Sequence, residues 1–150
     1  MIYQLDAEGA ISNRNRLEQL LYQCKKASTG TAPSADFCKT KIAELIDYLS
    51  QDRAFLFVFV ENGCVGGFLW SCILKSTDDS KKMHILYLVV DEICRGRGIG
   101  KSLLDEVEKK AKLLNIHLME LNVSANNTGA RALYENAEYT TERLTMVKQI

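Results

Sequence analysis

At 150 residues the chain has the length of one domain, able to bury about two thirds of the surface its unfolded form would expose, and 47% apolar with 25% charged residues is the composition of a globule. Lys plus Arg and Asp plus Glu both number 19, a balance that excludes a general polyanion binder, because non-specific nucleic-acid affinity comes from neutralising many phosphates. The longest apolar run, Ala54 to Val60, is too short to span a bilayer, and the amino terminus carries Asp6 and Glu8 in place of a basic region and apolar core, so a cytoplasmic protein with no nucleic-acid and no membrane partner is expected.

Met1 to Leu5 reads as a short strand, followed by a glycine turn at Glu8-Gly9. Leu17, Leu20, Leu21 and Cys24 recur at helical spacing and predict an amphipathic helix from Ser12 to about Ala27, with Ser12 or Asn13 as its cap. Ser28 to Ser34 holds the single proline and is a loop, which either borders an acceptor site or merely connects two helices. The second helix is capped by Asp36 and presents Phe37, Ile42, Leu45, Ile46 and Leu49 on one face.

Ala54 to Val60 predicts a buried strand, Glu61-Asn62-Gly63 a hairpin turn and Val65 to Leu74 the returning strand. Gly66-Gly67 weakens that strand unless another surface comes close. After a charged loop, Ser76 to Lys82, Met83 to Val90 is a further strand, and Leu103, Leu104, Val107, Ala111 and Leu114 mark one face of a helix from Lys101. His117 to Val123 alternates as a strand, Thr128 to Asn136 is a short helix carrying Ala130, Leu133 and Tyr134, and Tyr139 to Ile150 adds one or two strands. The five cysteines include no C-x-x-C pair, so neither a metal site nor a disulfide framework is expected, and Cys94 reads as a packing thiol.

The organising stretch is Arg95-Gly96-Arg97-Gly98-Ile99-Gly100-Lys101-Ser102, between a strand and a helix. A glycine-rich turn there leaves helix N-terminal N–H groups without intrahelical partners, beside the positive end of the macrodipole, so it can receive an anion. Arg95, Arg97 and Lys101 add full charges, and phosphate is the expected guest. Gly100-Lys101-Ser102 ends like a P-loop, but Arg95 occupies the first-glycine position; the spacing of Gly96, Gly98 and Gly100 also fails the dinucleotide fingerprint.

Arg95-x-x-Gly98-x-Gly100, preceded by Leu88-x-Val90, resembles the pyrophosphate-binding signature of the GNAT superfamily of acyl-coenzyme A dependent N-acyltransferases. A second stretch, Val123-x-x-x-Asn127-x-x-Ala130-x-x-Leu133-Tyr134, resembles the same family's later motif; Glu138-Tyr139 departs from its usual Gly-Phe. The resemblance implies a single α/β (α+β) domain over residues 1–150: a central mixed, mostly antiparallel sheet with a splayed strand pair, flanked by helices on both faces. It implies acetyl-CoA as cosubstrate and no metal. Unpaired backbone at Leu88, Val89 and Val90 would accept pantetheine like an added strand, a backbone N–H near Val90 would receive the thioester oxygen, and Asn127 would touch the pantetheine arm. The amides of Arg97, Gly98, Ile99, Gly100, Lys101 and Ser102, with Gly96 in the same turn, would cradle pyrophosphate, and Arg95 and Arg97 would support it.

Tyr134 then stands where the family's phenol hydrogen-bonds the departing sulfur. The base is open among His84, Glu120, Asp91 and a water chain: a lysine-like amine costs about 4.6 kcal/mol to hold neutral at pH 7, and Asn122 stands where one branch of the family has a glutamate. Counting back from Val90, His84 falls where histone-acetyltransferase-like members carry their base, and an imidazole suits that task. The expected enzyme is an N-acetyltransferase, a monomer or homodimer, that acts on a small-molecule or protein amine by direct attack in a ternary complex. The alternative is a non-catalytic acetyl-CoA sensor or partner-binding module.

Overall fold

The computed structural model describes residues 1–150. Its sheet is built in order β1 (Ile2–Leu5), β2 (Ala54–Glu61), β3 (Cys64–Lys75), β4 (Lys81–Val90) and β5 (Met119–Leu121), antiparallel except for the parallel β4–β5 pair. The unbroken apolar run of β2 has a direct cause. Leu56 and Val58 face a core shared with α2 (Arg14–Thr29) and α3 (Ala35–Ser50), while Phe57 faces one shared with α4 (Ile99–Leu113). A strand covered on both faces has no position left for a polar residue.

Leu17, Leu20 and Leu21 of α2 and Ile42, Leu45 and Leu49 of α3 close the first layer over Phe68, Trp70 and Val89. On the opposite face Leu103, Leu104, Val107 and Ala111 of α4 cover Leu69, Met83 and Ile85. The expected mixed sheet with helices on both faces is therefore present, completed by α5 (Thr128–Asn136).

Five local expectations are corrected. The turn at Glu8-Gly9 is a short helix, α1 (Ala7–Ser12), because Asp6 accepts the Gly9 N–H at 2.8 Å and caps it. Asn13 precedes α2 but makes no side-chain cap there; its Nδ2 donates to Gly9 O at 2.8 Å and so finishes α1 instead. The cap of α3 is Ser34, which accepts from Phe37 N–H at 3.0 Å, and Asp36 lies in the first turn. The strand expected over His117 to Val123 keeps only Met119–Leu121, the residues that β4 pairs. Tyr139 to Ile150 forms no strand: the sheet ends at β5, and Leu144, Met146 and Val147 are 82%, 91% and 89% exposed. Strand propensity without a neighbouring strand to pair with does not make a strand.

Gly66 and Gly67 meet the close surface that their place in a strand requires. A Cβ on Gly66 would stand 3.0 Å from Cys94 Sγ, and one on Gly67 only 2.8 Å from the Val89 carbonyl oxygen.

Candidate active site

The turn from β4 into α4 is tied down before it opens. Arg16 of α2 pairs with the Asp91 carboxylate and donates Nε–H to Val65 O at 2.8 Å, while the other Asp91 oxygen accepts the Ile93 N–H at 3.2 Å. Burial pushes the Asp91 carboxyl up, but the Arg16 hydrogen bond, the Ile93 N–H and the charges of Arg16 and Arg95 outweigh it and hold the group below its ordinary value. Asp91 is thus a buried anchor, and its oxygens face partners within the fold. Arg95 Nε donates to Val90 O at 3.0 Å and folds the loop back on the strand end.

Gly96 and Gly98 have φ of 74° and 76°, and a Cβ at either would meet nothing within 4 Å. The left-handed backbone therefore demands glycine while its outer side stays open. Gly98 is the N-cap of α4, and the first bond into the helix is Ser102 N–H to Gly98 O at 3.0 Å. The N–H groups of Ile99, Gly100 and Lys101 lie ahead of that ladder and have no helical acceptor. Gly100 serves packing as well: its absent Cβ would be 3.1 Å from Leu133 Cδ2 of α5. Of the loop's cations, Arg97 is turned away, bidentate to Glu61 at 3.0 and 2.6 Å, and Lys101 pairs with Asp105 at 3.1 and 3.0 Å.

β5 meets β4 only at Met83, His84 and Ile85. From Leu86 to Val90, β4 keeps its β3 neighbour but has none on the other edge. Leu86 is skipped in the β3 register, between Ile85 opposite Ser71 and Tyr87 opposite Trp70, and this bulge bends the strand where the two part. After it, Leu88 and Val90 border the α4 layer and Val89 the α2–α3 layer.

Asn127 caps α5, its Oδ1 accepting from Ala130 N–H at 3.2 Å. The helix sets Tyr134 against the α4-side core, with the Tyr139 ring 5.8 Å away edge-on. Burial, then the nearby Cys24 thiol, pushes the Tyr134 phenol up to about 12. Cys24 belongs to α2 on the opposite layer.

His84 and Glu120 are brought together as register partners, Nδ1 to Oε1 at 2.9 Å, and Glu120 Oε2 takes Lys82 Nζ at 2.8 Å. The Lys82 hydrogen bond, with help from His84, holds the Glu120 carboxyl below its ordinary value against the opposing effect of burial. A carboxylate can only accept, so Nδ1 carries the hydrogen and Nε2 of a neutral His84 keeps its lone pair.

Residues 15–139 match the acetyltransferase (GNAT) family. The chain belongs to this family. The GNAT fold is the five-stranded mixed sheet with helices on both faces described above. Mycothiol acetyltransferase of Beutenbergia cavernae is 36% identical over 75 residues, which are 50% of this chain and 25% of that protein, so the match spans a quarter of the relative's length. A mutant of the BH1408 protein from Bacillus halodurans superposes with a TM-score of 0.87 at 19% identity, covering 100% of this chain and 99% of that one. A predicted acetyltransferase from Clostridium acetobutylicum, solved with acetyl-CoA, gives a TM-score of 0.78 at 17% identity, over 99% and 95% of the two chains. At such identities the likeness is one of fold.

Sequence reasoning missed the contribution of α2 to this GNAT site. Arg16 holds Asp91, 75 residues further along. Helical spacing marks which face of α2 is apolar, but a contact with a distant strand end leaves no local pattern.

Proposed function

We propose that this GNAT chain transfers the acetyl group of acetyl-CoA to a primary amine by direct attack in a ternary complex. The observation that carries the reading is the parting of β4 from β5, with the open glycine turn at one end and Tyr134 packed on the α4 side. Acetyl-CoA supplies an activated acyl thioester when bound. The free edge at Leu88, Val89 and Val90 accepts its pantetheine as an added strand, and Asn127 lies beside that arm. The N–H groups from Gly96 to Lys101 receive the pyrophosphate, with Arg95 and Lys101 as nearby charge, while the Ser102 N–H is taken by Gly98 O and Ser102 only borders the turn. The Arg97 side chain serves Glu61, so its part is through its backbone.

Tyr134 donates a hydrogen bond to the departing sulfur. From a phenol at about 12, handing over the proton to a thiolate of conjugate-acid pKa near ~8.5 is uphill by roughly 5 kcal/mol, so the phenol stays protonated and stabilises charge. His84 Nε2 receives the amine proton directly or through water, and Glu120 holds the ring by Nδ1. No helix of the chain is long and apolar enough to cross a membrane, and the proposal places the enzyme in the cytoplasm with a small-molecule or protein amine as acceptor.

Incubation with acetyl-CoA and a pool of amines, read by thiol release and product mass, tests it. Stoichiometric thiol and acetylated amine are expected. Tight acetyl-CoA binding with no turnover of any amine, peptides included, would replace the enzyme by a sensor.

A further inference from the structure

The α2–α3 side of the sheet, beside the stretch of β4 that has parted from β5, gathers charges and aromatic rings. Its α3 wall carries Phe37, Lys41, Glu44 and Tyr48 at three- and four-residue intervals, and its floor is the α2–α3 face of the sheet at Tyr87 and His84. Both carboxylates here already hold a lysine, Glu44 with Lys41 at 2.8 Å and Glu120 with Lys82 at 2.8 Å. None of the ion pairs involves Lys25 or Arg53. Each is instead held over aromatic rings: Lys25 Nζ lies 5.3 Å from the Tyr87 centroid and 5.6 Å from that of Phe37, and Arg53 Cζ lies 4.9 Å from that of Tyr48. Lys25 is half-buried, and Tyr87 beneath it belongs to the stretch of β4 that has no neighbour on its β5 side.

A cation fixed over two rings, partly desolvated and lacking a counter-charge, is a preformed receptor for an anion. The same wall repels a second positive charge on the acceptor. We propose that the acceptor is a small amine that also bears a carboxylate, of the amino-acid class, and that Lys25 binds the carboxylate while Phe37 and Tyr87 cover the carbon skeleton. This inference rests on the acetyltransferase reading and narrows it: polyamines and aminoglycosides, which bring only positive charge, are disfavoured.

The test compares acceptors that differ in one group: phenylalanine with phenethylamine, ornithine with putrescine, and β-alanine with phosphoethanolamine. A charge-assisted contact predicts kcat/KM about 10- to 100-fold higher for the carboxylated member. In Lys25→Met that ratio falls toward one with acetyl-CoA affinity unchanged, and Lys25→Arg restores most of it. A preference for the carboxylate-free amines, or for phosphoethanolamine, overturns the assignment. An equal loss of acetyl-CoA affinity in Lys25→Met places the lysine on the cosubstrate and overturns it too. Thiol release with putrescine alone would sink this inference while sparing the enzyme; no release with any amine would sink both.

Discussion

His84 Nδ1 lies 2.9 Å from Glu120 Oε1 because the β4–β5 register sets these two residues side by side, in the three-residue stretch where the strands still pair. The contact fixes the tautomer that leaves Nε2 free to accept a proton. Glu120→Gln replaces an obligate acceptor with a group that can also donate, so the ring is no longer held in one tautomer. We expect kcat to fall about 10- to 100-fold, with acetyl-CoA affinity unchanged and imidazole nitrogen NMR showing mixed tautomers. Full activity alongside mixed tautomers would remove His84 from the mechanism.

Tyr134→Phe removes a donor used mainly as sulfur leaves. Turnover should drop about 10²-fold, with acetyl-CoA dissociation constants within a factor of about two by calorimetry. Because burial holds the phenol at about 12, wild-type activity should show no basic limb from this residue below pH ~10. Wild-type rates in the variant would return Tyr134 to a packing role.

Gly98→Val places a β-branched side chain at φ 76° on the open side of the turn. Acetyl-CoA affinity should weaken by more than about tenfold, the equivalent of ~1.4 kcal/mol. Unaltered affinity in a folded variant would move the pyrophosphate elsewhere.

Arg16→Met leaves the buried Asp91 carboxylate without its counter-charge. Allowing for the partial exposure of the arginine, whose side chain is 30% accessible against 8% for the aspartate, unfolding free energy should fall by about 2–3 kcal/mol at pH 7. The folded Asp91 value is depressed, so its contribution is fully present above the unfolded value near ~3.9 and disappears as pH falls through the folded one. The gap between wild type and variant should therefore narrow on acidification. A gap that is constant down to pH ~2 would mean the loss is one of packing.

Glu138 sits at φ 67°, the left-handed conformation that the family's usual glycine adopts without strain, and its side chain is exposed. Relieving a non-glycine residue there, less the extra chain entropy of glycine, predicts that Glu138→Gly stabilises by about 0.5–1 kcal/mol in a denaturant titration. A destabilised variant would show that Glu138 makes contacts worth more than its strain.

What the sequence determined is whatever short-range chemistry controls. Gly98 and Gly100 mark the turn because backbone at φ 76° and a 3.1 Å approach by Leu133 both exclude a side chain. Thr128 to Asn136 and the apolar stripe of α4 follow from helical period. Cap choice was less legible, since Ser34 and Asp36 are both good caps and a difference of two positions depends on where the chain leaves Pro33. Only the tertiary structure decided which polar groups meet. Asp91 became an anchor because Arg16 reaches it from α2, and His84 gained Glu120 through strand register. Tyr139 to Ile150 stayed unpaired because a strand exists only where another strand supplies its hydrogen bonds. Those pairings depend on how layers stack across the splayed sheet, and no window of neighbouring residues contains that information.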